Sequence, residues 1–134
     1  MKIFLASHGK LASGVKSSLN ILLGNSDKVT VFDAYLDDRN VAAEVEKFYE
    51  TVSEYEEVLL LSDLYGGSVN QVLFACLQRE NTRLVAGVNL AFVLEVAIRE
   101  AISDEELSEI VNQSREMLRI VINDDEEVET EDFF

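Results

Sequence analysis

Lys2-Ile3-Phe4-Leu5-Ala6-Ser7-His8-Gly9 is the stretch that decides the fold. Its apolar run Ile3–Ala6 reads as a buried strand, and Ser7-His8-Gly9 follows at once, before a helical pattern begins. Three later runs share its character, so strands are expected at Lys2–Ala6, Lys28–Phe32, Glu57–Ser62 and Thr82–Ala86. All are short, apolar and rich in branched residues, as strands covered on both faces must be. Helical stripes alternate with them. Leu11, Val15, Leu19 and Leu22 mark the first helix, and Val41, Val45, Phe48 and Val52 the second, both at the 3.6-residue period. Alternating β and α units imply a parallel sheet with right-handed crossovers. The reading is an α/β fold: an open parallel sheet of order 2-1-3-4 with helices on both faces. Strands one and three are then neighbours at the switch point, where such sheets hold ligands.

That order makes His8 informative. It is the only histidine of the chain, and it stands at the carboxyl end of strand one. Asp63 stands at the carboxyl end of strand three, within Ser62-Asp63-Leu64-Tyr65-Gly66-Gly67-Ser68. Taken singly, each residue has an ordinary reading: a polar loop histidine, a turn carboxylate, a strand-to-helix turn. Together they describe chemistry. An aspartate that accepts the proton of one imidazole nitrogen leaves the other free to attack. Gly66-Gly67 permits close approach of backbone amides to a ligand, and Ser68 opens a helix whose free N–H groups favour an anion. The set describes a histidine that holds or hands on a phosphoryl group.

Composition narrows the alternatives. The chain has 134 residues, enough for one domain with one sizeable core. We place the domain at residues 1–122 and an acidic, disordered tail at 123–134. Asp124 to Asp132 holds seven acids and no base, and with these set aside the formal charge of −15 becomes −8 on the body. Such a balance argues against nucleic acid and anionic lipid. No membrane span or secretory signal is apparent, and the single cysteine, Cys76, fits a reducing cytoplasm. Cys76 lies among Val72, Leu73 and Leu77 at helical spacing, as core filler. Metal binding has no ligand-spaced cluster to support it, and the glycines match neither a Walker loop nor a dinucleotide fingerprint. Capping boxes are read at Ser68-x-x-Gln71 and Ser103-x-x-Glu106, and Asn89 reads as an N-cap. Leu118–Ile122 reads as a fifth strand, expected to be antiparallel. Five largely apolar residues cannot stay exposed as an edge without inviting association, so a homodimer is expected.

At these residues the sequence resembles the mannose-type enzyme IIA components of the bacterial phosphoenolpyruvate-dependent sugar phosphotransferase system. The matching pieces are Ala6-Ser7-His8-Gly9 with Ser13-Gly14, the Ser62–Ser68 segment with Asn70, and Ala86-Gly87-Val88-Asn89-Leu90. The resemblance implies that His8 is phosphorylated by the phosphocarrier HPr and passes the group to a IIB subunit. It implies that Asp63 orients His8 and that Gly66, Gly67 and Ser68 hold the phosphoryl, with no cofactor. It further implies a dimer whose fifth strand crosses to the partner, and contact with the membrane only through IIC and IID subunits. Val69 and Ala91 stand where the family often has proline; neither position supplies a reacting group. A regulatory phosphohistidine module and the phosphotransfer subunit of a dihydroxyacetone kinase are the alternatives. The sugar itself is not legible, because specificity lies with the membrane components.

Overall fold

The computed structural model describes residues 1–123; the acidic tail expected at 123–134 otherwise lies outside the described residues. Strands β1 (Lys2–His8), β2 (Val29–Ala34), β3 (Val58–Ser62) and β4 (Thr82–Ala86) form one sheet. Every pairing is parallel and the order is β2-β1-β3-β4, as the alternation of elements predicts. Helices α1 (Leu11–Leu23), α2 (Val41–Glu50), α3 (Ser68–Phe74), α4 (Leu90–Ala97) and α5 (Asp104–Arg115) connect and cover it. A short 3₁₀ turn, Ala75–Gln78, extends α3.

The strands bury both faces because their side chains alternate. Ile3, Leu5, Leu59 and Leu61 point to one face and meet Leu19 of α1, Val93 and Val96 of α4 and Ile110 of α5. Phe4, Ala6, Val58 and Leu60 point to the other and meet Val45 and Phe48 of α2 and Val69 and Leu73 of α3. Cys76 is buried in that second layer, where desolvation pushes its thiol above the usual range.

Strand ends differ from the sequence expectation in a way that builds the site. β1 runs two residues past Ala6, because its ladder with β2 continues through Ser7↔Asp33 and His8↔Ala34. Its ladder with β3 stops at Ala6↔Ser62. His8 therefore ends the strand rather than sitting in the following loop, and its β3-facing edge is left for another partner.

One further expectation needs correction, and another has no counterpart within the single chain. The stripe of α1 is rotated: Leu11 and Leu22 are exposed, while Ala12, Val15, Leu19 and Leu23 face the core. Small Ala12 lets the helix approach the sheet closely, which turns Leu11 outward. The fifth strand is not formed in the single chain, where Leu118–Ile122 have no regular structure and are exposed. Among the described residues no strand pairs with that segment. β4 is only partly buried along its length, in contrast to fully buried β3, and its outer edge has no partner among the described residues. The N-cap at Asn89 and the reciprocal capping box of Ser103 and Glu106 form as read. Among the described residues no helix is long and apolar enough to cross a membrane.

Candidate functional site

His8 leaves the sheet with one backbone N–H unpaired on the β3 side, and Asp63 takes it. The carboxylate Oδ2 accepts from His8 N–H at 2.9 Å. The same group meets the ring, with Nδ1 at 3.0 Å from Oδ2 and 3.2 Å from Oδ1. Asp63 is largely enclosed, its side chain 10% exposed, whereas that of His8 is 41% exposed. A carboxylate only accepts hydrogen bonds. In the neutral imidazole Nδ1 therefore carries the proton, and Nε2 keeps its lone pair.

Nε2 faces Ser68, whose Oγ lies 3.3 Å away. This corrects the capping box read at Ser68 and Gln71. The N-cap of α3 is Gly67, with no side-chain cap, and Gln71 Nε2 donates to the carbonyl of Gly66 instead. Partners more than thirty residues away in sequence hold the Ser68 hydroxyl, so a local motif misassigns it.

The glycines before Ser68 have different reasons to be glycine. Gly66 adopts a φ of +76°, a left-handed conformation costly for other residues. Gly67 has an ordinary φ of −73°, but a β-carbon there would lie 3.3 Å from His8 Cε1. The turn is fitted against the imidazole. The Gly67 N–H donates to the Leu64 carbonyl at 3.1 Å, so in this state it is not offered to a ligand.

Ser7, beside the histidine, is not a nucleophile. Fully buried, its hydroxyl accepts from Ala12 N–H at 2.7 Å and donates to the Gly9 carbonyl at 2.9 Å, fixing the start of α1. Asp33 completes that start: its carboxylate accepts from Ser13 N–H at 2.9 Å and from Ser13 Oγ at 2.6 Å. Sequence reading missed Asp33, although an acid after an apolar strand run was a signal. It also missed Tyr35, whose ring centroid lies 5.3 Å from that of His8 and whose hydroxyl lies 2.5 Å from Ser68 Oγ. Nothing local in the sequence distinguishes Tyr35 from a surface aromatic. Among the described residues no three His, Cys, Asp or Glu side chains converge as a metal site.

Comparisons with known proteins bear on this geometry. Residues 2–115 match the model of the family described as the PTS system fructose IIA component. No curated protein matches significantly. The mannose/sorbose specific IIA subunit of the Enterococcus faecalis phosphotransferase system is 25% identical, with 95% of this chain and 98% of that one covered and a TM-score of 0.76. The PTS IIA protein associated with the fucose utilization operon of Streptococcus pneumoniae is 29% identical, with 89% and 91% covered and a TM-score of 0.71. A sigma-54 interaction domain protein of E. faecalis is similar at 24% identity, 87% and 90% coverage and a TM-score of 0.62, which speaks for the fold alone.

Proposed function

Because the chain belongs to the PTS fructose IIA component family, we propose that it is a phosphocarrier of sugar uptake that accepts a phosphoryl group on His8 from HPr and passes it to a IIB subunit. The observation that carries this reading is the pairing of His8 Nδ1 with Asp63, which leaves Nε2 as an exposed nucleophile. Nε2 attacks phosphorus as the donor's P–N bond breaks. The proton on Nδ1 stays there, and the Asp63 carboxylate balances the positive charge that the ring acquires. Ser68 Oγ lies where it can donate to a phosphoryl oxygen, and the backbone of Gly66, Gly67 and Ser68 lines the remaining side. Transfer to IIB is the same step in reverse on a new acceptor nitrogen. No cofactor is needed, since the group arrives and leaves on partner histidines or an equivalent nucleophile.

Exposed Leu11, Leu36, Leu64 and Tyr65 lie on the segments that surround His8, and they suit the docking of successive protein partners. The protein then works in the cytoplasm and meets the membrane only through IIC and IID subunits. A homodimer completes this reading. The free edge of β4 and the exposed Leu118–Ile122 segment are complementary needs, met when that segment pairs as a fifth strand in a second copy. A regulatory use of the same phosphohistidine is the second reading.

The test is incubation with phosphoenolpyruvate, enzyme I and HPr, followed by location of the acid-labile phosphate. One phosphate on His8, absent from His8→Ala, is the expected result; label that persists in His8→Ala overturns the site. Rapid loss of the phosphate to IIB distinguishes the carrier, and a persistent phosphoform distinguishes the regulator.

A further inference from the structure

Tyr35 is held in a conformation that its own packing does not explain. Its φ is +69°, a region that β-carbon-bearing residues rarely enter and bulky ones almost never. The residue is 60% exposed, so burial is not what holds it there. Two things fix its place. β2 pairs with β1 up to His8↔Ala34, and the Ala34 carbonyl accepts from Gly9 N–H at 2.8 Å. The next residue, in the left-handed conformation, then swings its side chain over the site. There the ring lies against the imidazole at 34° between planes, and the hydroxyl reaches Ser68 Oγ.

The direction of the hydrogen bonds follows from His8. With its proton on Nδ1, Nε2 can only accept, so Ser68 spends its one proton on Nε2. Ser68 can then only accept from Tyr35, whose hydroxyl is the donor. The chain runs Tyr35 O–H to Ser68 O–H to His8 Nε2, and it ends with Nδ1–H on Asp63. Donors in series polarise one another.

We propose that Tyr35 is a positioning residue of the phosphoryl site: it aims and polarises the Ser68 hydroxyl and shields one face of His8 from water, a role that rests on the phosphocarrier reading. When Nε2 takes the phosphoryl group, its lone pair becomes the P–N bond. The Ser68 proton then turns to a phosphoryl oxygen while Tyr35 continues to donate behind it. Loss of the group to water forms a P–O bond, breaks P–Nε2, and returns inorganic phosphate and the imidazole with its proton on Nδ1. A covering ring and a fixed serine slow that loss.

The experiment compares wild type, Tyr35→Phe and Tyr35→Asn. Each is phosphorylated by phospho-HPr and, separately, by phosphoramidate, a small donor that requires no partner protein. Transfer rate, phosphoform lifetime, the phosphorus NMR shift and the melting temperature are read. Tyr35→Phe keeps the ring and loses the donor, so transfer from phospho-HPr should fall by roughly 3- to 10-fold, the value of one hydrogen bond, with a shifted phosphorus resonance. Tyr35→Asn loses the ring as well, and its phosphoform lifetime should shorten further. Its melting temperature should hold or rise, because asparagine tolerates the left-handed conformation. Rates, lifetimes and shifts equal to wild type in both variants would overturn the proposal. So would a lower melting temperature in Tyr35→Asn beside a Tyr35→Phe that behaves as wild type, which would make the residue structural. If phospho-HPr labels none of the three proteins, the phosphocarrier reading fails, and lifetimes of the phosphoramidate-made form still decide the role of Tyr35.

Discussion

Gly67→Ala measures how closely the turn is fitted to the imidazole. The added β-carbon would lie 3.3 Å from His8 Cε1, 3.3 Å from the Leu64 carbonyl oxygen and 3.4 Å from Leu64 Cβ. Carbon atoms rest at about 3.5–4.0 Å, so the ring must retreat by a few tenths of an ångström. The backbone at Gly67 (φ −73°, ψ 169°) suits alanine without strain. Reduced freedom of the unfolded chain contributes about 0.4–1 kcal/mol toward folding, and the contact with the Leu64 carbonyl offsets a similar amount. The melting temperature should therefore stay within about 4 °C of wild type. Transfer is less tolerant, because the ring's alignment depends on contacts of 3.0 and 3.2 Å to Asp63 and 3.3 Å to Ser68. A misplacement of about 1 Å can cost 10²-fold, so a few tenths should cost about 3- to 10-fold. Quenched-flow transfer from phospho-HPr and thermal melting by circular dichroism are the assays. Gly24→Ala is the opposite control. Gly24 lies at the far end of α1 with a φ of +79° and open space around its β-carbon. It should lose about 1–2 kcal/mol of stability and keep its transfer rate. Wild-type transfer in Gly67→Ala would refute the fitted-turn reasoning, as would a melting temperature lower than that of Gly24→Ala.

Asp63→Asn should slow transfer by about 10² to 10⁴, the upper figure borrowed from the analogous loss in a protease triad, with a folded circular dichroism spectrum; a wild-type rate would reduce Asp63 to a turn residue. Glu106 accepts from Ser103 N–H in the α5 capping box, and this bond holds its carboxyl below the usual range. A lowered folded value means stability that is present at neutral pH and lost as pH falls below the usual glutamate value of about 4.3. Glu106→Gln should therefore flatten the acid limb of melting temperature against pH, and an unchanged limb would remove that contribution. Deleting residues 124–134 should leave a dimer by sedimentation, whereas deleting from Leu118 onward should give monomer or aggregate. Leu118, Ile120, Val121 and Ile122 are exposed in the single chain, and burying each contributes roughly 1.5–3 kcal/mol before association costs. A full-length monomer at micromolar concentration would refute the exchange.

The parts of this protein that were legible in its sequence are those with local causes. Short branched runs separated by 3.6-period stripes specify both the strands and their parallel order, because right-handed crossovers leave few alternatives. Ser103 and Asn89 cap as read, since their partners lie three residues ahead. The errors share one physical cause. The Ser68 hydroxyl had a local option at Gln71 and takes Tyr35 and His8 instead, and the α1 stripe turns about Ala12 because a small residue lets the helix settle closer to the sheet. Tyr35 was invisible for the same reason: only a positive φ after the last β2 residue turns it toward His8. Tertiary contacts decide these residues, and a window of a few positions does not contain them.

The site also depends on a mismatch in the sheet that no strand-by-strand reading supplies. β1 pairs with β2 for two residues beyond its last pair with β3. That overhang strips His8 of a ladder partner on one side, and a lone backbone N–H near a buried edge needs an acceptor. Asp63, the first residue after β3, provides it through Oδ2, and the same oxygen accepts from the ring. One carboxylate thus closes the sheet and selects the tautomer, so the backbone bond fixes the position from which it addresses the imidazole. Asparagine at this position could keep the backbone bond through its oxygen, but its NH2 group would stand beside Nδ1, favour the wrong tautomer and bring no charge, whereas alanine would release strand end and ring together. A site built this way is as rigid as the sheet edge it completes, while the opposite ring nitrogen remains open to partners.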